Sequence, residues 1–203
     1  MTDLQTLADD ELLRLTQAGD ENAFTVLYRR HQGPVYRFAQ RMSGSPSIAD
    51  DVTQEVFLAL MCEPGRYDAS RGGLASYLYG IARNQVRRQL EHGKLHVPAD
   101  AGADDAEADP IESVAVTTDP LGDLTLQEGL STLRQAVTSL PLHYREVVAL
   151  CDLEEMSYES AALILGCAVG TIRSRLHRAH ALLVQKVREA REARRPAPAA
   201  TAL

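Results

Sequence analysis

The chain has 203 residues, 45% of them hydrophobic, with no Trp and three Phe; this is enough apolar material for packed cores and excludes a wholly disordered chain. Its formal net charge of −7 speaks against a nucleic-acid partner only until the charges are placed: residues 96–128 carry nine acids and no base, whereas 129–203 carry ten bases against seven acids. A phosphate responds to charge within a Debye length of about 8–10 Å, so the basic C-terminal third remains compatible with DNA.

Runs rich in β-branched and aromatic residues between turn signals are scarce, so an all-α fold is expected. Asp9 or Asp10 is placed to cap a first helix that ends at Gln17. Gly19-Asp20 closes it and caps a second helix over 21–42, where Pro34 removes a backbone hydrogen bond. After Ser43-Gly44-Ser45-Pro46 comes a third helix over 47–61, and Glu63-Pro64-Gly65 opens a turn-rich loop to Gly73. A fourth helix starts at Gly73 or Leu74 and runs to about Glu91.

Residues 97–124 lack aromatics and periodicity, and their like charges repel, which predicts a flexible acidic linker. Four further helices are expected near 125–138, 141–151, 157–164 and 168–190, with Pro141 in a first turn and Ser157 as a cap. The expected organisation is two four-helix domains, 1–96 and 125–192, joined by 97–124 and followed by a disordered tail, 193–203.

The sharpest local pattern is Ser157 to His180. A short helix with Ala161, Ala162 and Leu165 inward meets Gly166 at a tight turn, and a second helix follows at once. This is helix-turn-helix spacing, in which the second helix enters the major groove. At about 100° per residue, Ile172, Leu176, Ala179 and Leu183 form its apolar stripe. Arg173, Ser174, His177 and Arg178 lie opposite, with Thr171 and Arg175 at one flank. A solvated basic face could share that composition. The turn and stripe together favour DNA, because Arg pairs with guanine or phosphate and hydroxyls serve either.

Those residues also resemble region four of the extracytoplasmic-function sigma factors of bacterial RNA polymerase. The likeness extends through Leu140-Pro-Leu-His-Tyr-Arg-Glu-Val-Val-Ala-Leu150, Asp152-Leu-Glu-Glu-Met-Ser-Tyr158 and Val169-Gly-Thr-Ile-Arg-Ser-Arg-Leu176. It implies that Thr171, Arg173, Ser174, Arg175, His177 and Arg178 read the −35 promoter element. Ala49-Asp-Asp-Val-Thr-Gln-Glu-Val-Phe57 resembles the region-two helix that grips the coiled coil of the polymerase's largest subunit. Its core stripe, Ile48, Val52, Val56 and Ala59, leaves Asp50, Asp51, Gln54 and Leu58 on another face, beside Glu55. The 77–88 segment resembles the helix that reads the −10 element. The likeness gives phosphates to Arg83 and Arg87, an extruded base to Asn84, and the rest of that pocket to Tyr67, Asp68 and Tyr77.

The resemblance implies a protein that binds core RNA polymerase, double- and single-stranded promoter DNA, and an anti-sigma factor, and whose linker threads a channel of the polymerase. No cofactor, metal or catalytic residue is expected. A helix-turn-helix repressor or activator acting without polymerase is the first alternative, but no dimerisation or ligand module is evident. An enzyme is the second, and no phosphate loop, nucleophile motif or zinc spacing supports it. The N-terminus has acids where a secretory signal needs bases, and the longest apolar stretch, 161–170, cannot span a bilayer. A cytoplasmic protein with no membrane insertion is expected. Cys62, Cys151 and Cys167 form no Cys-x-x-Cys pair, which predicts reduced thiols.

Overall fold

In the computed structural model, residues 3–94 and 124–194 are described, and among them the regular structure is entirely helical. The expected linker, save Leu124, and the expected tail from 195 onward lie outside the described residues.

The first half holds α1 (Asp9–Gln17), α2 (Glu21–Ser43), α3 (Pro46–Cys62) and α4 (Leu74–Lys94). Asp20 caps α2 by accepting from the Asn22 and Ala23 amides at 2.9 and 3.1 Å. Pro34 lies inside α2, which continues through it to Gly44. Gly44 closes the helix at φ 73°, a left-handed position suited to glycine. Ser45 then caps α3, with Pro46 in its first turn. One expected cap is corrected: Ala8 precedes α1, and neither Asp9 nor Asp10 caps it. Asp9 instead pairs with Arg30 at 2.5 Å and His31 at 2.8 Å, tying α1 to α2.

The second half holds α5 (Leu124–Thr138), α6 (Leu142–Val147), α7 (Tyr158–Leu165) and α8 (Val169–Arg194). The helix expected over 141–151 changes character at Val148, where a π-helical segment runs to Leu153. Pro141 stands just before α6 rather than in its first turn.

Leu12, Leu27, Phe38, Met42, Val52 and Leu78 are buried at the centre of the first bundle. Val147, Leu150, Ala161, Ile172 and Ala179 play the same part in the second. Truncating a large core side chain such as Phe38 to Ala costs about 3–5 kcal/mol through lost burial and the cavity left behind. In this conformation the two domains lie against each other: α2 packs on α5 and α6, α4 packs on α7, and the buried apolar residues form one cluster.

Candidate nucleic-acid interface

The helix-turn-helix forms where the sequence places it. Ser157 caps α7 by accepting from the Ser160 amide at 3.1 Å, and the two hydroxyls bond at 3.0 Å. Gly166 turns the chain at φ 65° and donates its amide to Ala162. Ile172 and Ala179 are fully buried and Leu176 nearly so. That packing fixes the rotation of α8 and leaves Arg173, Ser174, His177 and Arg178 exposed, with Thr171 and Arg175 half-buried at the edge. The Arg173 guanidinium lies over the Tyr158 ring, 5.9 Å from its centroid, so one side chain of this exposed face is partly pre-ordered. Ser174 donates to the Thr171 carbonyl at 3.1 Å, which leaves its lone pairs free to accept.

A second concavity lies beside the N-terminal end of α4, walled by Tyr67, Asp68, Tyr77 and Asn84 from the first half and by Leu163 and Ile164 from α7. The Tyr67 and Tyr77 rings sit 5.6 Å apart. Tyr67 donates its hydroxyl to Asp10 at 2.5 Å. Burial first, and then Asp10, push the Tyr67 phenol well above its ordinary pKa, so it remains a donor. Burial also raises Tyr77. Asp68 accepts from the Ser70 hydroxyl and amide at 2.7 and 2.9 Å, which hold its carboxyl below the usual range and brace the loop. Asn84 is exposed. Arg83 and Arg87, expected to hold phosphates, turn to Glu146 of α6. Arg83 Nε lies 2.6 Å from Glu146 Oε1, and Arg87 Nη1 lies 3.6 Å from the same oxygen.

On α3, Asp50, Asp51, Gln54, Glu55 and Leu58 are all exposed, while Val52 and Val56 are fully buried. Ile48 and Ala59, expected in the same core stripe, are half-buried. Leu58, 46% exposed, borders an open groove between α2 and α3 that Phe24, Tyr28 and Tyr36 also line. This surface offers carboxylates around an apolar trough.

The Sigma-70 region 2 family matches residues 27–94, and the Sigma-70 region 4 family matches 130–183. The ECF RNA polymerase sigma factor SigM of Mycobacterium tuberculosis is 34% identical over 181 residues, covering 88% of this chain and 84% of that one. This chain belongs to the extracytoplasmic-function sigma factors. The Escherichia coli ECF sigma-E factor is 32% identical over 189 residues, covering 90% of this chain and 96% of its own. The Bartonella quintana sigma factor RpoE, solved in complex with the anti-sigma factor NepR, is 28% identical with a TM-score of 0.61, covering 81% of this chain and 96% of that one. CnrH, solved with the cytosolic domain of CnrY, shares the fold at a TM-score of 0.63 and 22% identity over 93% of this chain and all of its own.

Two features of this sigma factor lie outside the sites expected from its sequence. Phe24, Tyr28 and Tyr36 recur at multiples of four residues, a stripe offset from the core positions Ala23, Val26 and Leu27. That offset was the available signal for a groove on α2. Glu146 and Glu154 are the second omission. They are acids in a basic half of the chain, and their partners lie 63 and 113 residues away, beyond the reach of local pattern.

Proposed function

We propose that this sigma factor docks on core RNA polymerase through Asp50, Asp51, Gln54, Glu55 and Leu58, with the neighbouring aromatic groove receiving an apolar side chain of the partner. Tyr67, Asp68, Tyr77 and Asn84 take bases of the −10 strand, and Arg83 and Arg87 take its phosphates. Thr171, Arg173, Ser174, Arg175, His177 and Arg178 anchor the −35 duplex. Binding energy for unpaired bases helps to open the promoter, since a flipped base exposes edges and faces that a duplex hides. Residues 97–124 connect the two DNA-binding domains, 1–96 and 125–192, and their acids suit a basic channel of the polymerase. The sigma factor contributes recognition, and the covalent chemistry belongs to the polymerase.

The observation that carries this reading is the outer face of α8, where Arg173, Ser174, His177 and Arg178 stand exposed on a helix whose rotation is fixed by buried Ile172, Leu176 and Ala179. Among the described residues no helix is long and apolar enough to cross a membrane, in keeping with a cytoplasmic site of action. The relative solved with an anti-sigma factor makes a protein of that kind a natural partner here.

Transcription from a promoter library by core polymerase, with and without this protein, tests the reading. Start sites sharing two spaced motifs should appear with the wild type and be lost with Asp51→Lys or Arg178→Ala. Duplex binding without any new start site would favour a conventional helix-turn-helix regulator instead.

A further inference from the structure

The loop between α3 and α4 carries Tyr67 and Asp68, both assigned above to bases of the −10 strand. Much of its shape is made within the loop. It folds through two single turns of 3₁₀ helix, Pro64–Arg66 and Ala69–Arg71. Arg66 pairs with Glu63 at 2.5 Å, and Asp68 Oδ1 accepts from both the Ser70 amide and the Ser70 hydroxyl. These bonds shape the loop but do not fix where it lies on the bundle. The Tyr67 hydroxyl reaches another helix, donating to Asp10 Oδ1 on α1 at 2.5 Å.

Asp10 stands on a fixed support. Its neighbour Asp9 pairs with Arg30 and His31 of α2, and Arg30 also donates to the Leu7 and Gln5 carbonyls, both at 3.1 Å. Leu12 and Leu13 of the same helix are buried. The two adjacent acids therefore act in different directions. Asp9 fastens α1 to α2, while the exposed Asp10 reaches out to the loop. With those anchors in place, α1 does not need Asp10 to hold its position.

We propose that Asp10 is a positioning residue for −10 recognition: it holds the Tyr67 hydroxyl, so that the Tyr67 ring stays beside Tyr77 and the two aromatics stand ready as a wall for the extruded base. The inference rests on the functional reading above. The two rings are 5.6 Å apart and inclined at 54°, and they line the same concavity as Asn84. A half-buried tyrosine on a loop can turn about both side-chain torsions. Anchoring its tip removes that freedom during folding, so less is lost when a base arrives. A phenol suits this purpose because it joins an apolar ring to a polar handle, which phenylalanine lacks. A carboxylate suits it too, since a charged acceptor makes a stronger hydrogen bond than a neutral one.

Charge argues against a direct contact between Asp10 and the strand. Asp9, Asp10 and Asp68 all act on the Tyr67 phenol, so this end of the concavity is acidic and repels phosphate. An acid in that place serves DNA through its bond to Tyr67. Burial and Asp10 together keep the phenol protonated, so the bond persists wherever the carboxylate is ionised.

The test assembles the full-length protein with core polymerase and measures two probes by fluorescence anisotropy. One is a single strand carrying the −10 motif, the other a duplex carrying the −35 motif, both taken from start sites found with the promoter library. Asp10→Ala should weaken single-strand binding by about fivefold and leave duplex binding within about twofold. Tyr67→Phe should do the same. It removes the bond from the other side without touching α1, so it decides the matter even if Asp10→Ala loosens that helix. Combining the two should again cost about fivefold rather than the product of the single losses, because both remove one interaction. Asp10→Asn keeps an acceptor and sheds the charge, so it should bind the strand at least as tightly as the wild type.

Equal losses with both probes would make Asp10 a structural staple and overturn the proposal. Unchanged single-strand affinity in Asp10→Ala and Tyr67→Phe would overturn it as well. Losses that multiply in the double variant would mean that Asp10 meets the DNA on its own. An Asp10→Asn variant as weak as Asp10→Ala would put the charge, not the bond, in control, which also contradicts the proposal. Failure of the sigma reading shows separately, as no start site from the library with the wild type, and it removes the basis of this proposal.

Discussion

Arg173 and Arg178 both face outward from α8, but Arg173 stacks on Tyr158. A stacked guanidinium has already given up some of its rotamer freedom, so less is lost when it meets a base or phosphate. Tyr158→Ala should therefore weaken −35 duplex binding by about 0.5–1 kcal/mol without removing any of the side chains proposed to touch DNA. Arg173→Ala should cost more, about 1–3 kcal/mol. Titrations of both variants against the same duplex check the order, and equal losses would mean that Tyr158 itself reaches the DNA. The cysteines differ in a similar way. Cys62 is exposed, whereas burial, and then the charge of Asp152, push the Cys151 thiol up to about 11. At pH 8 a thiol with that value is thiolate in only about one molecule in a thousand, and the thiolate is the reactive form. Iodoacetamide should label Cys62 in the native protein and reach Cys151 only on denaturation, as read by peptide mass spectrometry. The sign for stability follows from the raised value. The folded chain keeps a proton that the unfolded thiol loses near 8.5, so this contribution is intact below that pH and declines as pH rises toward 11.

At the scale of the element, Gly166 is the hinge of the DNA-binding motif. Its φ of 65° lies in the left-handed region, and an added Cβ would meet nothing within 4 Å. Gly166→Ala should therefore cost only the backbone penalty, about 1–2 kcal/mol, measurable by urea denaturation. A much larger loss would mean that the turn depends on more than its dihedral angle. Such punctuation is why the helices were legible in sequence. Asp20, Ser45, Ser157, Gly44 and Gly166 act within a few residues of themselves, and the structure uses each at a helix end. The exposed face of α8 was legible for a related reason, since a buried stripe fixes the opposite side by angle alone. Asp9 was misread as a cap because its partners, Arg30 and His31, come from another helix. The π-helical segment over Val148–Leu153 has no Gly or Pro to announce it. It begins within a run of buried residues, Glu146 to Leu150, whose packing settles the backbone there. The occupation of Arg83 and Arg87 could not be read at all, because it depends on how two helical units meet across residues that carry no periodic signal.

For the whole molecule, the length of the connection bears on how far the contact between the halves stays populated. Joining the units makes their meeting intramolecular, with an effective concentration set by the length of the connection. Closure entropy grows slowly with that length, by about 0.6 kcal/mol for each doubling. Inserting a further 29 residues of Gly and Ser beside the natural 95–123 segment should therefore weaken the closed form by only about threefold. The radius of gyration should rise only by the small amount that a threefold change in the closed population produces. Small-angle X-ray scattering of the lengthened chain beside the wild type makes the comparison directly. If lengthening alone separated the halves fully, the natural connection would be holding them together under constraint. A small effect of length would instead place their cohesion in the contacts between them, among them Arg83–Glu146 and Arg41–Glu154.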